Sequence, residues 1–208
     1  MTDWDAKYAA AAAGLFGEEP NEFVREIVAR SDFHARSALC LADGDGRNGN
    51  WLARQGLAVL AVDLSKVATD KARERDAASG VTVERIAADL KDWAPAPGRH
   101  WDAAFIISLH CEPSVRTRAI RIAAAALAPG GWLVIEGFAK AQAVRDGTGP
   151  DDPSLLYDVT EIQGALPEFE IVEAFTGITC LDEGKRHRGE AEVVRFAARK
   201  PMEDDARN

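Results

Sequence analysis

Leu39-Cys40-Leu41-Ala42-Asp43-Gly44-Asp45-Gly46-Arg47-Asn48 passes from a short apolar run, through a turn holding two glycines, into residues of helical composition. An apolar β-rich run that ends in such a turn and opens a helix is how a parallel sheet wrapped by helices begins. Working outward, the sequence predicts strands over Ser37–Ala42, Leu57–Val62, Val81–Ala87, Ala103–Ser108 and Trp132–Glu136. Helices are expected between them over Asn48–Gln55, Lys66–Ala78 and Ser114–Leu127, the first two stopping before Gly56 and Gly80, where glycine accepts the left-handed cap conformation. Pro129-Gly130-Gly131 is expected to turn the chain into the fifth strand.

The alternation stops after Gly137. Ala139–Asp158 is rich in Gly, Asp and Pro, the composition of a functional lid or a mobile connection. A short helix is expected over Val159–Leu166, followed by β-rich runs Glu168–Thr179 and Glu190–Ala198 around the polar Asp182–Gly189. No room remains between them for a crossover helix, so they are expected to pair antiparallel. Upstream, Trp4–Arg30 has helical composition, broken at Gly14-Leu15-Phe16-Gly17 and Pro20, and is placed to fold over the ligand edge of the sheet. The division expected is one domain: an N-terminal helical lid (1–30), a ligand-binding core (37–137), a lid loop and helix (138–166) and a C-terminal hairpin (167–200).

Composition narrows the partners. The chain has 208 residues, 47% of them hydrophobic, enough for a full core. Its net charge of −9 repels phosphate backbones and anionic lipid, favouring a small-molecule substrate over nucleic acid or membrane. Nothing at the start reads as a signal peptide and no apolar run is long enough to span a bilayer, so a cytoplasmic protein, monomer or homodimer, is expected. Cys40, Cys111 and Cys180 form no CxxC pair and are expected to be buried free thiols, with no metal site.

In an open α/β sheet the ligand lies beyond the carboxyl ends of the strands. Gly44 and Gly46 allow the backbone to approach it, the amides opening the Asn48 helix favour an anionic group, and Arg47 can pair with that anion. Asp63 ends the second predicted strand, where a carboxylate accepts both hydroxyls of a ribose. Asp89 ends the third, suited to a hydrogen bond from a purine amino group, with Leu64 and Leu90 on either side of the ring. Each aspartate alone is more often a cap or turn residue; two of them after successive strands beside a glycine turn point to a nucleoside ligand. Gly44-x-Gly46-x-x-Gly49 also satisfies the dinucleotide fingerprint, so a nicotinamide oxidoreductase competes. Against it, Tyr8 and Tyr157 are followed four places on by Ala12 and Glu161, so no Tyr-x-x-x-Lys pair exists for hydride chemistry.

Four stretches carry a resemblance: Phe16-Gly17-x-x-Pro20-Asn21-x-Phe23, Leu39 to Asn48, Leu127-Ala128-Pro129-Gly130-Gly131, and Glu183-Gly184-x-x-His187-x-Gly189 leading to Val193-Val194 and Arg199-Lys200-Pro201. On these the sequence resembles the tellurite-resistance/thiopurine-type branch of class I S-adenosylmethionine-dependent methyltransferases. The resemblance implies a Rossmann-like α/β sandwich, its seven-stranded, mostly parallel sheet ordered 3-2-1-4-5-7-6 with the last strand antiparallel. It implies S-adenosyl-L-methionine as donor, S-adenosyl-L-homocysteine as product, and an N-terminal segment with Phe16, Gly17 and Pro20 closing over the donor. The class usually carries an acidic residue two places before its first glycine and a glycine opening the turn. Cys40 and Ala42 stand in that neighbourhood here, and Asp43 is expected to supply the carboxylate from a shifted position.

The donor site expected is therefore Phe16, Gly17, Pro20, Asp43, Gly44, Gly46, Arg47, Asn48, Asp63, Leu64, Ser65, Asp89, Leu90 and Ser108. His187, within the basic cluster Lys185-Arg186-His187-Arg188, and His110, after the fourth strand, are the candidates for chemistry at the acceptor. The other readings of these are a solvated hairpin turn and a packed or capping histidine. Trp4, Tyr8, Arg186 and Arg188 are expected to touch a small, soft or anionic acceptor: a thiol or a selenium or tellurium anion. A non-catalytic binder of the donor or its product is the alternative from another class. His34 and His100 are read as surface residues, and Trp51, Trp93, Trp101 and Trp132 as packing.

Overall fold

In the computed structural model, which describes residues 3–11, 14–144, 149–184 and 188–202, seven strands form one sheet in the order β3-β2-β1-β4-β5-β7-β6. They are β1 (Ser37–Leu41), β2 (Ala58–Asp63), β3 (Glu84–Ala87), β4 (Trp101–Ile107), β5 (Leu127–Phe138), β6 (Glu170–Asp182) and β7 (Arg188–Arg199). The first five pair in parallel, whereas β7 runs antiparallel to both β5 and β6. This is the expected Rossmann-like order. The helices are α1 (Trp4–Ala10), α2 (Glu22–Val28), α3 (Arg47–Arg54), α4 (Lys66–Ser79), α5 (Pro113–Ala126) and α6 (Val159–Ala165).

Both faces of the central strands are covered, which is why β1, β4 and β5 read as nearly unbroken apolar runs. On one face Leu39, Leu41, Ile106, Leu133 and Ile135 pack under Ile120 and Ala123 of α5 and Ile162 of α6. On the other, Cys40, Phe105 and Val134 pack under Phe23 and Ile27 of α2 and Leu52 of α3. Trp101 and Trp132 are buried and Trp51 and Trp93 half-buried, while His34 and His100 are exposed. The edge strand β6 leaves Ile171, Phe175 and Ile178 exposed.

Several boundaries move for identifiable reasons. β3 begins at Glu84 rather than Val81, because the Val81 amide is taken by the Asp76 carbonyl at 3.1 Å in the cap that closes α4 at Gly80. β5 reaches back through the expected Pro129-Gly130-Gly131 turn, since Lys200 pairs with both Gly130 and Gly131 and Leu127 pairs with Trp101. The turn is thus an irregularity within the strand. Asp182 and Arg188 are in register, so the polar segment expected over Asp182–Gly189 shrinks to the few residues between them. Cys40 is buried as expected, but Cys111 is half-buried and Cys180, on the edge strand, is exposed.

Candidate active site

Two residues with side chains take left-handed backbone conformations, Ala42 (φ 59°) after β1 and Ser108 (φ 57°) after β4. Such strain costs about 1–3 kcal/mol a residue and collects at sites. Both line one cavity of about 130 Å³ at the carboxyl ends of the strands. It brings together Asp43, Gly44, Asp45, Arg47 and Asn48 of the turn, Asp63 and Leu64 after β2, Asp89 and Leu90 after β3, and Leu109, His110 and Cys111 after β4. Trp4, Tyr8 and Phe16 of the N-terminal segment close it from above.

The turn rests on a buried ion network. Gly46 is the N-cap of α3 at φ 85°, and a Cβ there would meet the Arg85 guanidinium 2.6 Å away. Arg85 binds Asp43 at 2.9 Å and Asp76 at 2.5 Å, and the other Asp43 oxygen accepts the Gly49 amide at 3.0 Å. Burial raises the Asp43 pKa, with Arg85 opposing. Asp43, expected among the donor contacts, borders the cavity with both oxygens engaged beneath the turn. Ala42 takes the conformation that a glycine opening the turn would supply.

Asp63 accepts from the Gly44 amide and the Ser65 amide, both at 2.8 Å. A carboxylate has about four acceptor sites, so two remain for ribose hydroxyls. Burial, reinforced by Asp43 and Asp45, pushes its pKa up to about 6, although the two amides act the other way. Asp89 accepts from the Lys91 amide at 2.8 Å. Leu64 is 49% exposed opposite the buried Leu90, an apolar wall that a flat ring would cover. Ser65 does not line the cavity: its hydroxyl caps α4 and donates to Asp5 at 2.5 Å.

The N-terminal segment is held by specific contacts. Lys71 donates to the Tyr8 and Ala11 carbonyls, Asp45 accepts the Leu15 amide, and Asn48 accepts the Asn21 amide. The Tyr8 hydroxyl lies 2.3 Å from the point where a Cβ on Gly44 would stand, so the ring sits on the glycine turn. Burial and the charges of Asp63, Asp45 and Asp43 drive its pKa upward. Gly17 and Pro20 stand outside the cavity lining. Gly17 (φ 96°) crosses Gly184 (φ 114°) so closely that a Cβ on Gly17 would stand 1.9 Å from the Glu183 carbonyl oxygen. Two stretches far apart in sequence, Phe16–Phe23 and the one opened by Glu183-Gly184, therefore meet back to back, and only glycine fits on either side.

Arg47, expected to bind an anion, donates instead to Glu183 at 2.8 Å and to the Glu19 carbonyl at 3.1 Å. The Glu183 carboxylate also accepts from Asn21 Nδ2 and the Glu22 amide. The same Asn21 nitrogen donates to Glu136 at 2.5 Å, and Arg195 donates to Glu136 at 2.7 Å. His110 Nδ1 faces the Leu155 carbonyl at 3.2 Å, which makes Nδ1 the protonated nitrogen and leaves Nε2 an acceptor. The ring stacks on Phe138, and Tyr157, buried in the segment after β5, donates to the Leu109 carbonyl. Leu155 and Tyr157 thus hold the β4–α5 loop in place. Burial pushes the neighbouring Cys111 thiol up to about 11. Arg188 is on the exposed hairpin end opposite Asp182, away from the cavity. Arg186 and His187 lie outside the described residues.

Arg85, Asp76, Glu136 and Arg195 were not legible as site residues. The only signals were an arginine within the third apolar run and a glutamate closing the fifth. Among the described residues no cluster of His, Cys, Asp and Glu could hold a metal, and no helix is long and apolar enough to cross a membrane.

Residues 38–131, a little under half of the chain, match the family described as methyltransferase domain. The match runs from β1 into β5 and holds the turn, Asp63, Asp89, Ser108 and His110; α1, α2 and the β6–β7 hairpin lie outside it. The chain matches none of the curated proteins. Among solved structures it is similar to the N-methyltransferase NodS of Bradyrhizobium japonicum in complex with S-adenosyl-L-homocysteine, at 16% identity, TM-score 0.70, covering 96% of this chain and 97% of that one. It is similar to TehB of Haemophilus influenzae at 15% identity, TM-score 0.70, covering 86% of this chain and 62% of that one. The [4+2]-cyclase SpnF is similar at 18% identity, TM-score 0.67, with 94% and 90% covered. At these identities the likeness establishes the fold.

Proposed function

We propose that the chain transfers a methyl group from S-adenosyl-L-methionine to a small-molecule acceptor, leaving S-adenosyl-L-homocysteine. The observation that carries this reading is the single cavity joining the glycine turn, Asp63 and Asp89 beside the exposed Leu64. Asp63 would hold the ribose, Asp89 the adenine amino group, Leu64 and Leu90 the ring, and the amides opening α3 the carboxylate. The donor, when bound, supplies an electrophilic methyl carbon on a sulfonium sulfur. The chain aligns the acceptor and excludes water, which is what Trp4, Tyr8 and Phe16 do over the cavity. His110, its tautomer set by Leu155, borders the same site with its Nε2 accepting the Phe138 amide at 3.5 Å.

Membership of the tellurite-resistance/thiopurine-type branch is supported by the Gly17–Gly184 crossing, which gives two of its motifs a shared structural purpose. The expected contact with an anionic acceptor rested on the 185–188 cluster, of which only the exposed Arg188 is described. Thermal-shift titration with the methyl donor, its demethylated product and NAD(P) tests the reading. The two adenosyl ligands are expected to stabilise the protein, and stabilisation by NAD(P) alone would overturn it. Asp63→Ala is expected to weaken donor binding by about 1.5–3 kcal/mol, measured by calorimetry.

A further inference from the structure

Two polar side chains that line the main cavity, Tyr8 and Asp45, are each 5% exposed yet keep bonding capacity that the protein does not use. The Tyr8 hydroxyl stands over Gly44, and among the described residues it makes no hydrogen bond, although a buried phenol hydroxyl usually has a partner. Its position is fixed. Trp4 and Phe16 flank the ring at centroid distances of 6.1 and 6.4 Å, and Lys71 holds the Tyr8 carbonyl at 2.6 Å. Asp45 belongs to the glycine turn itself. One of its oxygens accepts the Leu15 amide at 3.1 Å; the other has no donor, and among the described residues no Lys, Arg or His pairs with this carboxylate. The neighbouring charges of the turn are already paired, Asp43 with Arg85 and Arg47 with Glu183. A buried carboxylate without a cation is destabilising, so Asp45 matches a cation that arrives with a ligand.

We propose, on the methyl-donor reading above, that Asp45 and Tyr8 bind the α-ammonium group of the donor's amino-acid end, so that the N-terminal segment docks on the charge it selects. In an α-amino acid the ammonium and the carboxylate share one carbon. With the carboxylate on the amides that open α3, the ammonium stands at the same turn, where Asp45 follows Gly44 and the Tyr8 hydroxyl covers it. An ammonium has three N–H donors, which meet the unused Asp45 oxygen and a lone pair of the Tyr8 hydroxyl. Burial first, then Asp63, Asp45 and Asp43, drive the Tyr8 pKa upward, so the hydroxyl stays neutral beside that cation. Both residues also fasten the segment that covers the cavity: Tyr8 is on α1, and Asp45 takes the Leu15 amide. A nucleoside without an ammonium leaves Asp45 unpaired beneath the closed segment, and it is expected to bind without holding that segment down.

The test compares four ligands by calorimetry: S-adenosyl-L-homocysteine, the same compound lacking only its amino group, the same compound lacking only its carboxylate, and 5′-methylthioadenosine, which lacks both. Removing the amino group is expected to weaken binding to the wild-type protein at least ~10-fold. In Asp45→Asn, which keeps an acceptor for the Leu15 amide, that loss should shrink to within about threefold, and in Tyr8→Phe, which keeps the ring, it should shrink at least ~3-fold. 5′-Methylthioadenosine should bind the wild-type protein and both variants within about twofold of one another, because it reaches neither side chain. Trypsin cleavage at Lys7 should be slowed at least ~5-fold by the two ligands that carry an ammonium and little by the two that do not. If Asp45→Asn disturbs 5′-methylthioadenosine binding, Tyr8→Phe carries the comparison alone. Equal affinity of the wild-type protein for S-adenosyl-L-homocysteine and its deaminated form, or an amino-group effect that the variants leave unchanged, overturns the inference while sparing the donor reading. Failure of the wild-type protein to bind any of the four overturns both.

Discussion

Two buried ion networks flank the glycine turn, and they differ in what they join. Arg85 with Asp43 and Asp76 ties β3, the turn and α4, which are neighbours within the matched domain. Arg47 and Arg195 with Glu183 and Glu136 tie α3 to the N-terminal segment, β5, the end of β6 and β7. The first holds the shape of the glycine turn. The second fastens the segments that cover the cavity to the helix that the turn opens. Buried pairs add little net stability, because desolvation offsets attraction, yet removing one partner strands a charge.

The comparison breaks most visibly at Arg85. Arg85→Ala leaves Asp43 and Asp76 buried without a cation and is expected to destabilise the whole chain by about 3–5 kcal/mol in urea denaturation. Glu183→Gln keeps an acceptor for Asn21 and the Glu22 amide but takes the charge from Arg47. Its expected cost is about 1–3 kcal/mol, and faster limited proteolysis of the N-terminal segment should precede global unfolding. If both variants open the same segment to the same extent, the distinction between the networks is lost.

pH sharpens the comparison through one carboxylate on each side. Asp63 and Glu136 titrate in the folded protein near 6 and 7, above their ordinary values of 3.8 and 4.5. The folded state therefore binds more protons than the unfolded chain across that interval. The stability they contribute is complete below about pH 4 and is lost as pH rises through 6 to 7. Melting temperatures of Asp63→Ala and Glu136→Gln should fall less than wild type between pH 5 and 8. The smallest effect is expected at Ala42, whose left-handed backbone glycine adopts without cost. Ala42→Gly should raise stability by about 1 kcal/mol, and a lowered melting temperature would show that the Ala42 methyl packs against something the turn needs.

The sheet order, the antiparallel hairpin and the place of the turn were legible because apolar periodicity and glycine punctuation are local properties of a chain. Asp63 and Asp89 were legible because the end of a parallel strand is a position that sequence can mark. Asp43 and Arg47 were read as donor contacts because the turn alone suggests it; their partners Arg85 and Glu183 come from other strands, and no local pattern announces such a pairing. Arg188 was counted with the acceptor site, and the register of β6 with β7 puts it opposite Asp182 on an exposed end.

By itself the sequence determined which residues gather at the cavity: a glycine turn, two strand-end aspartates and a histidine after β4. Tertiary structure alone decided which charges remain available there. It set Arg85 under Asp43 and Glu183 against Arg47, crossed Gly17 with Gly184, and buried Glu136. The physical reason is that burial and pairing control a carboxylate's charge and reach, and both depend on residues that folding brings together from distant parts of the chain.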